Sequence, residues 1–168
     1  ATNNSEIART IKLLRNQGME KRYANEIVGF NNRMTDIHAA IGRVQLKKLN
    51  NWTVARQKNA AFLTANLRNV ITPIVINKAV HVWHQYTVRI TDQSRDIFSE
   101  QLKKRGVGSG VYYPTPIHKL PSFSQATDLP ATNRVSQQCL SLPVHPSLTQ
   151  RDLEKIVQSV NEIAKAGS

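Results

Sequence analysis

Two stretches of the chain carry side chains suited to chemistry. "GFNNRMTD" (29–36) sets Asn31, Asn32 and Arg33 just ahead of a helical pattern. Amide donors, a guanidinium and the positive end of a helix together suit a phosphate, and the same residues would serve equally as caps and loop packing. "YYPTPIH" (112–118) holds Tyr112, Tyr113 and His118 in a segment stiffened by Pro114 and Pro116. It reads as a substrate-facing rim or as a packed loop. Other combinations fall away. His81 and His84, three apart in strand-like surroundings, point to opposite faces and cannot easily share a metal ion. His118 and His145 have no Cys or carboxylate at a metal-site spacing, so no metal is expected. "GVGSG" (106–110) leads into a strand-like run and not into a helix, so it reads as strand-entry flexibility and not as a phosphate cradle. Asp92, Asp96 and Glu100 fall on helix starts or exposed faces and form no acid/base pair.

The elements that must position these residues can be read from periodicity. Residues 4–17 predict a helix capped by Asn4 or Ser5, with Ile7, Ile11, Leu13 and Leu14 at helical spacing and Gly18 as its stop. Residues 18–33 read as an irregular connector. From Thr35, a candidate N-cap, to about Arg68 there is no proline and only one glycine, Gly42, which predicts one long helix. It carries two apolar stripes: Ile37, Ile41, Val44, Trp52 and Ala55, and, rotated from these, Ala39, Gly42, Leu46 and Leu49. A helix on a single core needs one stripe. Two stripes fit either a central helix of one domain or a helix that also faces another subunit or domain.

Beyond it, 70–77, 81–91 and 107–114 are rich in β-branched and aromatic residues and predict strands. In 81–91, Val82, His84, Tyr86, Val88 and Ile90 are expected on one face. Residues 94–105 predict a helix capped by Ser94, 115–130 a proline-punctuated loop, 131–141 a helix, and 142–149 an extended link. Thr149 should cap a last helix with Leu153, Ile156, Val160 and Ile163 on one face. The order gives an α+β class with a small sheet and no regular βα alternation.

The 168 residues, 40% hydrophobic and 20% charged, describe a globular chain. No apolar run approaches the roughly 20 residues a membrane helix needs, so no membrane partner is expected. The start "ATNNSEIART" has neither Met nor a signal-peptide core and fits a chain processed, tagged or excised from something longer. The one cysteine, Cys139, cannot form an internal disulfide, which fits a reducing cytoplasm, and is expected to be a buried structural thiol. A net charge of +12 attracts polyanions, yet no basic cluster interleaves with aromatics, so direct nucleic-acid binding is not the favoured reading.

"GFNNRMTDIHAAIGRVQLKKL" (29–49) resembles the G-[FY]-N-x-R segment of the DegT/DnrJ/StrS family, the pyridoxal-phosphate-dependent sugar-nucleotide aminotransferases. "NNSEIARTIKLLRNQG" (3–18), "HVWHQYTVRI" (81–90), "LKKRGVGSGVYYPTPIHKLPSF" (102–123) and "LPVHPSLTQRDLEKIV" (142–157) resemble further family segments in the same order. The resemblance implies the C-terminal part of a fold-type I enzyme. Residues 1–34 would be the tail of the large cofactor domain, and 35–168 a small α+β domain whose long helix (about 35–68) lies at a homodimer interface. It implies that the cofactor-binding lysine lies upstream, that no residue here is catalytic, and that the isolated chain binds no cofactor and is inactive. It implies that Asn31 binds the cofactor phosphate of the neighbouring subunit. Arg33 would hold the loop or the substrate phosphates, and Tyr113 and His118 would lie near a nucleotide-sugar substrate. His38 stands where the family usually has Gln, and Asn32 where Tyr or Ser is common. Those departures bear on substrate identity. Some relatives dehydrate sugars, and the label "pleiotropic regulatory protein" attached to the family keeps a DNA-binding regulatory module as the rival reading.

Overall fold

A computed structural model describes residues 1–123 and 127–167. The chain divides into two compact units, residues 1–48 and 49–168, and the boundary falls inside its longest helix.

In the first unit, helix α1 (Ser5–Arg15) begins at Asn4, whose side-chain oxygen accepts from the N–H groups of Glu6 and Ile7 at 2.9 and 3.1 Å. Those two bonds satisfy donors that no helical carbonyl can reach. Of its apolar residues only Leu13 is buried, while Ile7 and Ile11 stay exposed. The expected irregular connector contains a short antiparallel hairpin, β1 (Met19–Lys21) and β2 (Ala24–Asn25). Helix α2 (Asp36–Asn66) is unbroken and begins at Thr35, whose hydroxyl accepts from the His38 N–H at 3.3 Å. At about 1.5 Å per residue it runs for roughly 46 Å.

The second unit holds the core. Ala60 and Leu63 from the end of α2 and Leu67 just beyond it pack with Tyr86 and Val88 of strand β3 (Tyr86–Arg89) and with Phe98 and Leu102 of helix α3 (Arg95–Lys104). Helix α4 (Pro130–Gln138) leads into strand β4 (Cys139–Leu142), which pairs antiparallel with β3, Tyr86 opposite Leu142 and Arg89 opposite Cys139. Helix α5 (Gln150–Ala166) buries Leu153, Ile156, Val160 and Ile163, the expected face. At its start the Thr149 hydroxyl accepts from the Asp152 N–H while the Asp152 carboxylate accepts from the Thr149 N–H, a reciprocal capping box. Among the described residues no helix is long and apolar enough to cross a membrane.

The α+β class stands, with smaller sheets than the pattern suggests. The run 70–77 forms one isolated bridge, Ile71 with Arg89; Pro73 has no N–H to extend it, and Ile74 is 88% exposed. The run 107–114 likewise contributes one bridge, Gly110 with Ser141. In 81–91 only Tyr86–Arg89 is strand. Trp83 takes a left-handed turn (φ 50°) with its N–H donating to His81 Nδ1 at 2.9 Å. That turn breaks the alternation, so Trp83 is buried against Tyr86 while Val82 and His84 are exposed. Residues 139–141, expected at the end of a helix, are strand. The "CLSL" run is covered on both faces, so it shows no alternation, and its partner lies fifty residues away. Cys139 is half-buried there, its thiol unpaired. Ser94 occupies the N-cap position of α3 without a side-chain bond. Residues 124–126 of the expected 115–130 loop lie outside the described residues; its earlier part contains two single turns of 3₁₀ helix, Ile117–Lys119 and Pro121–Phe123.

Candidate functional site

Asn31 sits on a loop that the end of α1 holds in place. The last carbonyls of a helix have no partner within it. Here the Phe30 N–H donates to Leu14 O at 2.6 Å and the Asn32 N–H to Arg15 O at 2.9 Å, while the Gln17 N–H donates back to Phe30 O at 2.8 Å. The two backbones approach so closely that a Cβ on Gly29 would lie 2.2 Å from the Gly18 nitrogen, and one on Gly18 1.7 Å from Ile27 O. Gly18 also needs its positive φ of 76°. Two glycines eleven residues apart therefore make the crossing possible, and the crossing fixes the loop.

The side chains on this loop are exposed and polar. Arg33 Nε donates to Asn31 Oδ1 at 3.1 Å. With its oxygen engaged, Asn31 presents its NH₂ group, a donor pair with no acceptor among the described residues. Next to the loop is a cavity of about 870 Å³ whose lining includes Arg9, Lys12, Arg15, Asn32, Arg33 and Met34. Glu26 and Glu20 pair with Arg9, at 2.6 and 3.0 Å, and hold its proton more firmly than usual, the Glu26 hydrogen bond being the larger cause. Lys12, Arg15 and Arg33 have no carboxylate partner among the described residues, so this side of the first unit is electropositive. Lys12 and Arg15 did not stand out as site residues in the sequence. The only signal is the basic spacing of "RTIKLLRNQGMEKR", which by itself reads as a solvated helix face.

Tyr113 and His118 belong to the second unit. Tyr113 is 82% exposed and has a positive φ of 57°, a conformation that non-glycine residues rarely adopt. His118 lies in the first 3₁₀ turn, with its Nε2 out of contact with solvent and without a hydrogen-bond partner among the described residues. Asn31 and Arg33 are thus brought together by a hydrogen bond, while Tyr113 and His118 share only their loop. Among the described residues no group of three His, Cys, Asp or Glu side chains could hold a metal ion.

Known proteins align with this arrangement along nearly the whole chain. The model of the DegT/DnrJ/EryC1/StrS aminotransferase family matches residues 1–161. The dTDP-3-amino-3,6-dideoxy-alpha-D-galactopyranose transaminase of Aneurinibacillus thermoaerophilus is 30% identical over 95% of this chain and 45% of its own length. A protein of Geobacillus stearothermophilus named pleiotropic regulatory protein is 33% identical over 96% of this chain and 45% of its own. Among solved structures, DesV of S. venezuelae in complex with a ketimine intermediate superposes with a TM-score of 0.90 at 31% identity, covering 98% of this chain and 46% of that one. The chain spans about half the length of the curated relatives it matches. It belongs to the DegT/DnrJ/EryC1/StrS aminotransferase family.

Proposed function

We propose that the chain is the C-terminal part of a cytoplasmic, pyridoxal-phosphate-dependent aminotransferase that moves an amino group, from glutamate, onto a keto-sugar nucleotide. The transaminase names of its relatives support this class, and the observation that carries it is the Asn31 amide. Its oxygen is held by Arg33, its NH₂ has no acceptor among the described residues, its loop is fastened to α1, and the cavity beside that loop is lined by Lys12, Arg15 and Arg33, none of which has a carboxylate partner among those residues. The one carboxylate in that lining, Glu20, is paired with Arg9, so the remaining donors and cations fit a phosphate dianion and would be wasted on a neutral or cationic group. Pyridoxal phosphate, when bound, supplies the electron sink that amino-group transfer requires.

In this reading Asn31 donates to the cofactor phosphate of a neighbouring subunit, and Arg33 orients Asn31 and adds charge toward the substrate phosphates. Tyr113 and His118 line the sugar side. The division is a large-domain tail over 1–34 and a small domain over 35–168. The exposed apolar stripes of α2, with Ile37 at 74% and Leu46 at 68%, are the surface for a second subunit, docked through the 35–68 helix and its leading loop. No lysine here lies in a motif that matches the family's cofactor lysine, so the chain alone is expected to be inactive.

The test is made on the full-length parent protein. It should bind pyridoxal phosphate with a visible absorbance band, and Asn31→Asp should weaken that binding by about tenfold to a hundredfold, the worth of about 1.5–3 kcal/mol for a hydrogen bond to a charged group. A parent without bound cofactor or band overturns the reading. A parent that binds the cofactor and dehydrates a sugar nucleotide without transferring an amino group would be the related dehydratase. The name of the Geobacillus relative and the +12 charge favour a second reading, a DNA-binding regulatory module. Affinity for duplex DNA that falls steeply with salt would support it, and no binding at low salt would remove it.

A further inference from the structure

The second unit has a cavity of its own, about 290 Å³, that the aminotransferase reading does not use. Three chain segments build it: His84–Gln85, Gly108–Tyr112 and Ser141–His145, with Arg56 of α2 beside them. Two of those segments are fixed by α2 itself. Arg56 Nη1 donates to Trp83 O and His84 O at 3.2 and 3.3 Å, and Asn59 Nδ2 donates to His145 O at 2.9 Å. The third is fixed by the Gly110–Ser141 bridge, with N···O distances of 2.9 and 2.8 Å.

Leu142, Pro143 and Val144 form an apolar side of the lining, and its polar groups share one character. They include a guanidinium, two imidazoles and the hydroxyls of Ser109, Tyr112 and Ser141, and no carboxylate. Arg56 is half-buried and has no acidic partner among the described residues; its Nε and Nη2 donate to nothing there. The Gly108 and Ser109 N–H groups likewise have no acceptor among those residues. Asp152, the carboxylate close enough to His145 to feel its charge, is engaged in the α5 capping box with Thr149. Gly110 has a specific reason to lack a side chain: a Cβ there would meet the Tyr112 ring at 2.7 Å. The ring rests on bare backbone and walls the cavity. Gly110 of "GVGSG" therefore does more than loosen a strand entry.

We propose that this cavity is a binding site for a small oxyanion, a carboxylate or a phosphate, held by Arg56, His84, His145 and the N–H groups of Gly108 and Ser109. A fixed guanidinium with free N–H groups, flanked by backbone donors, offers charge and fork geometry that water satisfies less well than an oxyanion does. The site lies wholly within residues 49–168 and does not depend on the assignment of Asn31.

The experiment uses the 168-residue chain and amide NMR. Inorganic phosphate and acetate are titrated separately at constant ionic strength, with chloride as the control. Saturable shifts at Gly108, Ser109, Gly110 and His84 are expected with one or both of the first two, and the stronger of the two names the ligand class. Arg56→Gln should weaken binding by about tenfold or more, the loss expected for one charge-assisted hydrogen bond. His84→Gln/His145→Gln, at two exposed side chains without hydrogen-bond partners among the described residues, should also weaken it and decides the matter should Arg56→Gln fail to fold. Shifts that chloride reproduces, that never saturate, or that survive the double histidine variant unchanged overturn the proposal.

Discussion

The two units treat apolar residues in opposite ways. Residues 49–168 close a core in which Tyr86, Val88, Phe98, Leu102, Leu140 and Val160 are fully buried. Residues 1–48 bury Leu13 alone and leave Ile37, Ile41, Val44 and Leu46 open. The same helix shows both behaviours: its final turns supply Asn59, Ala60 and Leu63 to a core, whereas its first half carries two apolar stripes whose Ile37, Ile41, Val44 and Leu46 stay exposed. Even Gly42, a position where a second helix could approach closely, has open space within 4 Å of an added Cβ. One region is a folded object. The other is held by hydrogen bonds and glycine crossings, with its apolar surface left for something else.

The sharpest way to break that contrast is truncation on each side of it. Phe98→Ala should cost about 3–5 kcal/mol in urea unfolding, because it empties a sealed site. Ile37→Ala and Leu46→Ala in the same chain should change stability by no more than about 0.5 kcal/mol. Equal losses on both sides would mean that the first half of α2 is already buried in solution.

A charge placed on the open stripe separates docking from folding. Leu46→Glu should leave the unfolding midpoint of the chain unchanged and weaken self-association by about 2–4 kcal/mol, the range of an interface hot spot. Sedimentation velocity over a concentration series checks this, with Val54→Glu, outside both stripes, as the control. A chain that stays monomeric at every concentration would remove the second subunit as the occupant of this face.

The crossing that holds Asn31 should be sensitive to one methyl group. Gly29→Ala pushes a Cβ into the Gly18 backbone and should cost about 1–3 kcal/mol of local stability, as overpacking does. Hydrogen exchange should speed up at Phe30 and Asn32, the amides bonded to α1, while the β3 and β4 amides keep their protection.

How far these regions could be read from sequence follows from the range of the forces involved. The ends of α1 and α5 were legible because Asn4 and Thr149 act on N–H groups two or three residues away. The long α2 was legible because nothing in it interrupts a helix. β4 was not, since "CLSL" becomes a strand by pairing with residues some fifty positions earlier and shows no alternation. Trp83 escaped for a similar reason: a single left-handed residue reverses which side chains face inward, and no periodicity announces it. At the candidate site, Asn31 and Arg33 were found through a motif, while Lys12 and Arg15 became neighbours only through the Gly18–Gly29 crossing.

The smallest effect belongs to the well-folded unit and concerns acid. The Asp152 carboxyl is held below its usual range, first by the Thr149 hydroxyl at 2.7 Å and then by the Thr149 N–H at 2.9 Å. Glu162 is held low by the Gln158 amide at 2.8 Å and by Arg105. A carboxyl whose pKa is lower folded than unfolded contributes stability that is fully present above the unfolded value, about 3.9 for Asp and 4.3 for Glu. That contribution is lost as pH falls through the folded value, because the unfolded chain binds its proton first. Both groups face solvent, so the effect should be modest and should shrink with salt. Urea midpoints measured between about pH 7 and pH 2 should therefore decline on the acid side. Asp152→Asn should lower the midpoint at neutral pH and flatten part of that decline, because the capping box loses its charge while α5 keeps its packed face. An acid slope identical in wild type and variant would show that the carboxylate of this cap adds nothing to the stability of the second unit.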